Sequence, residues 1–282
     1  MRKAVSSFVF SLLVIAALFF MSCEETVKLD LDDYTSAVVI EGLVTNQENY
    51  QFVKVTRTAD FYDPGNTPRI TNAEVTVTDD LGNVIPFVHN PSGNEDSLGI
   101  YIPETPFTGA VGRTYTLHVE VDGLLYEATD KLFPVTTMDS LNYEIDEDEQ
   151  EDPEVEGRIY SLLLFTQEPQ DEINYYLFKF FRNDSLSFDT DSDIYFSDDE
   201  FLAENISGVE GPVLYSQGDH ARVEMFSISR EGYIYYNDLS NLLNNDGGVF
   251  SPIPASPRTN LTNGALGFFQ VSALDISETE IE

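Results

Sequence analysis

Alternation of apolar and polar residues at a two-residue period is the dominant pattern of this chain. In Ala73-Glu-Val-Thr-Val-Thr78 the set Ala73, Val75 and Val77 points one way and Glu74, Thr76 and Thr78 the other, as in a half-buried strand. Similar short runs occur at 37–45, 52–57, 84–88, 99–102, 114–121 and 124–129. Turn chemistry separates them. Asp79-Asp-Leu-Gly-Asn83 joins one pair, with Gly82 and Asn83 suited to positive φ, and Asp122-Gly123 is a two-residue hairpin signal. Seven or so short strands at close spacing, with no helical run, predict a β-sandwich over 36–134.

A domain boundary is expected near Phe133-Pro-Val-Thr-Thr137, because Pro134 has no N–H to give to a ladder. Residues 135–282 are again strand-rich and more aromatic, with runs at 158–165, 174–182, 213–215 and 221–229. The run Asn174-Tyr-Tyr-Leu-Phe-Lys-Phe-Phe-Arg182 is apolar on both faces. A last run at 265–273 is expected to close this second domain. One stretch breaks the two-residue period. Between Ser229 and Leu243 the residues Tyr233, Tyr236, Leu239 and Leu243 recur every three or four positions, which predicts a helix with Ser229 as its N-cap. The fold class expected is therefore mainly all-β, with two β-sandwich-like domains, the second carrying one short helix.

The N-terminus has a different pattern. Arg2-Lys3 precede an apolar run from Phe8 to Met21 broken only by Ser11, and Ser22-Cys23-Glu24-Glu25 follow. A basic start, an apolar stretch and a small residue before a cut describe a secretory signal over 1–22. The apolar stretch falls short of the roughly 20 residues a spanning helix needs. A cysteine directly after such a signal resembles a bacterial lipobox, in which the thiol is acylated and the chain cut before it. Met21 and Phe20 suit the relaxed form found in Bacteroidota-type lipoproteins, and Glu24-Glu25 resembles an acidic export tag for the outer face of the outer membrane. Cys23 is the expected lipidation site, though an ordinary signal ending at Cys23 or an uncleaved anchor fits the same residues. With no second cysteine, an intrachain disulfide is excluded. Residues 23–35 read as a tether, or, by the alternation of Val27, Leu29 and Leu31, as an edge strand.

Charge narrows the partners. The chain has 14 Lys and Arg against 50 Asp and Glu, a formal net charge of −36. Removing Arg2 and Lys3 with the signal leaves 12 basic residues, or −38. Such a field repels nucleic acid and anionic head groups, so membrane attachment rests on acyl chains and not on a basic patch. Hydrophobic residues at 42%, including 20 Phe and 15 Tyr, argue against disorder and for a sizeable core. The run 146–154 is acidic, with no apolar side chain except Pro153, and reads as a solvated loop tip.

Candidate chemistry is sparse. His89, His118 and His220 lack the local spacing of a zinc site; His118 lies on a strand-like run, turned away from Leu117 and Val119, with no visible partner. No nucleophile elbow, Walker loop or dinucleotide fingerprint occurs. Asp189, Asp191, Asp193 and Glu200 fall at positions 1, 3, 5 and 12 of an EF-hand-like loop, a calcium arrangement, but position 6 is Ile194 where the sharp turn wants glycine. A solvated hairpin loop accounts for the same residues. Tyr233, Tyr235 and Tyr236 are candidates for a ligand or partner surface, and core residues with wet hydroxyls are the alternative.

Near the C-terminus, Gly247-Gly-Val-Phe-Ser-Pro-Ile-Pro-Ala255 and Thr259-Asn-Leu-Thr-Asn-Gly-Ala-Leu-Gly-Phe-Phe269 resemble the corresponding text of the domain of unknown function 4249 family. Val39-Ile-Glu-Gly-Leu-Val-Thr45, Gly112-Arg-Thr-Tyr-Thr-Leu117, Pro134 with Asp139-Ser-Leu141, and Asn174-Tyr-Tyr176 agree in order, so the similarity spans nearly all of the mature chain. Ile253 stands where another proline is expected, and Phe268 where tyrosine is common. The resemblance implies a Bacteroidota envelope lipoprotein, often beside a TonB-dependent outer-membrane transporter. It also implies a first domain similar to immunoglobulin-like or carboxypeptidase-regulatory-like modules. On these grounds the chain is expected to be a non-catalytic, surface-exposed outer-membrane lipoprotein serving nutrient capture or transporter docking. A structural or adhesive envelope protein, and a hydrolase with an unrecognised site, remain the other classes.

Overall fold

The computed structural model describes residues 36–59, 67–90, 93–151, 153–167, 173–190, 193–199, 205–245 and 255–282. Residues 36–282 form one compact unit. In chain order the first half contains β1 (Val38–Thr45), β2 (Phe52–Arg57), β3 (Glu74–Asp79), β4 (Val84–His89), β5 (Ile100–Pro103), β6 (Thr114–Val121) and β7 (Leu124–Lys131). There follow β8 (Met138–Ile145), a helical turn α1 (Glu147–Glu151), β9 (Arg158–Gln167), β10 (Tyr175–Arg182), β11 (Ser185–Ser187), β12 (Tyr195–Asp198), β13 (Asn205–Ser216) and β14 (His220–Ile228). Helix α2 (Arg230–Leu243), β15 (Leu266–Ser272) and β16 (Leu274–Glu280) complete the chain. The protein is all-β and sandwich-like, with one short helix of several turns.

The first sheet has eight strands in the order β15-β1-β2-β5-β4-β3-β6-β7. Alternation sets its inner face: Ile40, Val53, Val77, Leu117, Val119 and Val271 are fully buried in one cluster. The Asp122-Gly123 turn takes φ of 53° and 78°, and Val121 opposes Leu124 as a two-residue hairpin demands. The two edge strands approach one another, and side chains close the gap where no ladder forms. The Asn263 Nδ2 amide donates to the Leu125 carbonyl at 2.6 Å, Glu127 N–H donates to Thr262 Oγ1 at 2.8 Å, and Asp130 Oδ2 accepts from Val271 N–H at 2.9 Å. Exposed edge groups are thereby paired.

One expectation is corrected here. The run 265–273 does not close the second half. As β15 it pairs in parallel with β1, Val39 opposite Leu266 through Thr45 opposite Ser272. Gly267 shows why this stretch needs glycine: its φ is +97°, and a Cβ there would lie 2.1 Å from the Ile40 carbonyl oxygen. On the outer edge of β15, Asn260 imitates a neighbouring strand: its amide donates to the Phe269 carbonyl at 2.8 Å and its Oδ1 accepts from Phe269 N–H at 3.0 Å. The stretch 259–269 is thus a latch that completes the first sheet.

In the second half, the sheet β11-β10-β14-β16, with β12 also on β10, faces the sheet β13-β9-β8. Leu162, Tyr176, Phe180, Val213, Tyr215 and Val223 fill the space between them. The opposite face of β10 and β14 is buried too: Leu177, Phe226 and Ile228 cluster with Leu43 of β1 and Leu274 of β16. This is why β10 reads as apolar on both faces. Only the buried residue Ala273 separates β15 in the first sheet from β16 in the second. The acidic run 146–154 holds one exposed helical turn, its start capped by Asp146 Oδ1 accepting from the N–H groups of Asp148 and Glu149, both at 3.0 Å.

Candidate functional site

Helix α2 begins as its residues dictate. Ser229 has extended backbone, and its hydroxyl oxygen accepts from Gly232 N–H at 3.1 Å. The helix then packs on β10, β12 and β14 and on the outer face of β15, with β1 across a cleft from it. Because Val38 and Ile40, like Phe269 and Val271, point into the first core, the alternate residues Val39, Glu41 and Leu43 and Leu266, Phe268 and Gln270 point toward the helix. Between helix and sheet runs a cleft of about 510 Å³, walled by Tyr235, Tyr236, Leu239 and Leu242, rimmed by Ser256 and Pro257, and reaching Phe52 and Lys179.

The three candidate tyrosines part company. Tyr235 and Tyr236 line the cleft. The Tyr235 ring stacks on Phe268 at 5.0 Å between centroids, and burial, with Glu41 adding, pushes its hydroxyl up to about 12. The Tyr236 hydroxyl donates to Gln270 Oε1 at 2.6 Å, and burial raises its pKa further still. Tyr233 instead packs against Tyr175 and Phe196, with its hydroxyl bonded to Asp198. Leu243, placed by periodicity on the inner face, is half exposed, and Leu242 takes the place at the cleft.

Four cleft residues were not singled out as site candidates from the sequence: Glu41, Phe268, Gln270 and Lys179. Glu41 carries an ion pair to Lys54 at 3.0 Å across β1 and β2. Phe268 belongs to the text that carries the family resemblance, and Gln270 directly follows it. Lys179 left the clearest signal: it is the one charge in the apolar run 175–181. Its Nζ lies 4.9 Å from the centroid of Phe226, and burial lowers its pKa, Glu224 opposing.

The other candidates are dispersed. Asp191 and Glu200 lie outside the described residues, as does Cys23. Asp193 Oδ2 accepts from Thr190 N–H at 2.7 Å and from the Tyr195 hydroxyl at 3.3 Å, while Asp189 N–H donates to that hydroxyl at 2.7 Å. Tyr195–Asp198, at positions 7 to 10 of the EF-like register, are committed to the ladder with β10. Among the described residues no group of three or more His, Cys, Asp or Glu is arranged to hold a metal ion. The histidines are far apart in role. His118, expected to lack a partner, opposes Glu127 and pairs with it at 3.1 Å; His220 lies 3.7 Å from Glu278; His89 Nε2 accepts from Gly99 N–H at 3.1 Å. No helix among the described residues is long and apolar enough to cross a membrane.

These observations define an all-β, sandwich-built protein with a cleft between helix α2 and a sheet completed by the C-terminal latch. The chain belongs to the family described as Domain of unknown function (DUF4249), whose model matches residues 24–275. Comparison with curated proteins finds no match.

Proposed function

We propose that this chain is a non-catalytic, surface-exposed outer-membrane lipoprotein, held by a lipid on Cys23, that acts as a binding or docking component for a TonB-dependent transporter. The observation that carries the binding half of this reading is the cleft beside α2. It has the size of a small-molecule site, roughly 300–1,000 Å³, a mostly apolar lining and a few polar groups, the composition that recognises a ligand. The anchoring half is supported by the signal-like residues 1–22 ending at Cys23, with the family domain starting at Glu24. The transporter as partner follows from the family resemblance alone.

Two measurements test it. Replacing Cys23 by Ala should release a folded, soluble protein, and persistent membrane association would overturn the anchor. Mild detergent extraction should recover a stoichiometric outer-membrane barrel with the wild-type chain; repeated purification without one refutes the accessory role and favours the structural or adhesive alternative.

A further inference from the structure

Lys179 is placed where an ammonium is costly. It stands on β10 directly opposite Glu224 of β14, the register at which a cross-strand ion pair is expected. Among the described residues, however, no carboxylate lies within 4 Å of its Nζ. Glu224 is turned to other partners: its carboxylate pairs with Arg222 and accepts from the Tyr50 hydroxyl at 3.2 Å. Lys179 is left with a face of Phe226 and the end of the cleft, and with Tyr236 it also lines a smaller hollow of about 170 Å³. A half-buried cation with no carboxylate in contact, at the end of an apolar cleft, is a preformed seat for one negative group.

We propose that this cleft binds an apolar monoanion, an aryl or alkyl carboxylate, with its carboxylate on Lys179 Nζ and its apolar body between α2 and the outer face of β1 and β15. The proposal rests on the reading of the chain as a binding protein and adds the class of ligand. Two features limit that class. The walls offer Val39, Leu43, Phe268 and Leu239 to an apolar body. Among the described residues the one carboxylate lining the cleft, Glu41, is paired with Lys54, while the chain as a whole carries −36, which disfavours a polyanion but is screened beyond about 8 Å at physiological salt. A single charge on a greasy body meets both conditions.

The test uses the full-length protein in non-ionic detergent and two soluble probes, 1-naphthylacetate and 1-naphthylacetamide, which share one body and differ in head-group charge. Calorimetric titration, with detergent alone subtracted, should show the carboxylate binding at least about tenfold more tightly than the amide, the worth of one charge-assisted contact. Lys179→Met should remove that preference while the amide still binds, and Lys179→Arg should keep part of it. The inference is overturned if neither probe binds, if the amide equals the carboxylate, or if Lys179→Met keeps the preference at an unchanged melting temperature. Should that variant not fold, Leu239→Trp, which fills the cleft from the helix, must weaken both probes; unchanged binding overturns the site. Membrane release and barrel co-purification do not depend on Lys179, so the failure of this inference and of the lipoprotein reading are told apart.

Discussion

Asp130 offers the sharpest test of how the first sheet is closed. Its carboxylate is 8% exposed on β7, yet it accepts from Val271 N–H and Lys131 N–H, both at 2.9 Å, and from the Ser229 side chain that caps α2. Burial outweighs those hydrogen bonds, with Glu231 adding a little, and pushes its pKa up to about 7 from an ordinary value of 3.8. Because the folded carboxyl holds its proton more tightly than the unfolded one, folding is favoured least where the group must ionise. Its contribution is unaffected by pH below about 4, falls as pH rises through 7, and is constant above about 8. Each full unit is worth about 1.4 kcal/mol, and because the folded carboxyl is already half ionised at pH 7 the change between pH 5 and pH 7 amounts to about 2 kcal/mol. That range also avoids the isoelectric point near 4.1. Asp130→Asn cannot ionise. Urea unfolding of both proteins, followed by tyrosine circular dichroism because there is no tryptophan, should give a wild-type-minus-variant stability that declines by about 2 kcal/mol from pH 5 to pH 7. Repulsion among the remaining acids is common to both and cancels. Parallel profiles would refute the buried, ionisable bridge between β7 and β15.

Two further outcomes follow from the same geometry. Gly267→Ala places a methyl against the Ile40 carbonyl at positive φ and should cost about 2 kcal/mol or more, read as a lowered melting temperature; a wild-type value would mean that β1 and β15 do not pair in this register. Millimolar calcium should leave the melting temperature unchanged, since Asp193 is occupied by Thr190 and Tyr195 and residues 195–198 are in a ladder; a clear rise would favour the EF-like loop.

Much of the local structure was legible along the chain. The strands from β1 to β7, the Asp122-Gly123 hairpin and the Ser229-capped helix each follow from a period of two or of 3.6 residues and from the conformations particular residues accept. Strands β8, β11, β12 and β16 were missed. They are short, polar on one side or set among acidic residues, so their apolar period is too brief to stand out. The Asn183-Asp184 turn, with φ of 50° and 61°, was the available signal for the β10–β11 hairpin.

What the sequence determined by itself is therefore its elements, its acidic surface and its family text; periodicity and turn chemistry act over a few residues and need no partner. Only the tertiary structure decided where those elements go. The parallel pairing of β15 with β1 joins residues more than two hundred positions apart, and nothing in either strand's alternation names the other. The same pairing turns Phe268 and Gln270 toward α2, divides the three tyrosines between cleft and core, and sets Lys179 beside an apolar wall while Glu224 is drawn to Arg222. Burial and the loss of a contacting carboxylate are properties of neighbours in space, and they gave that lysine its meaning.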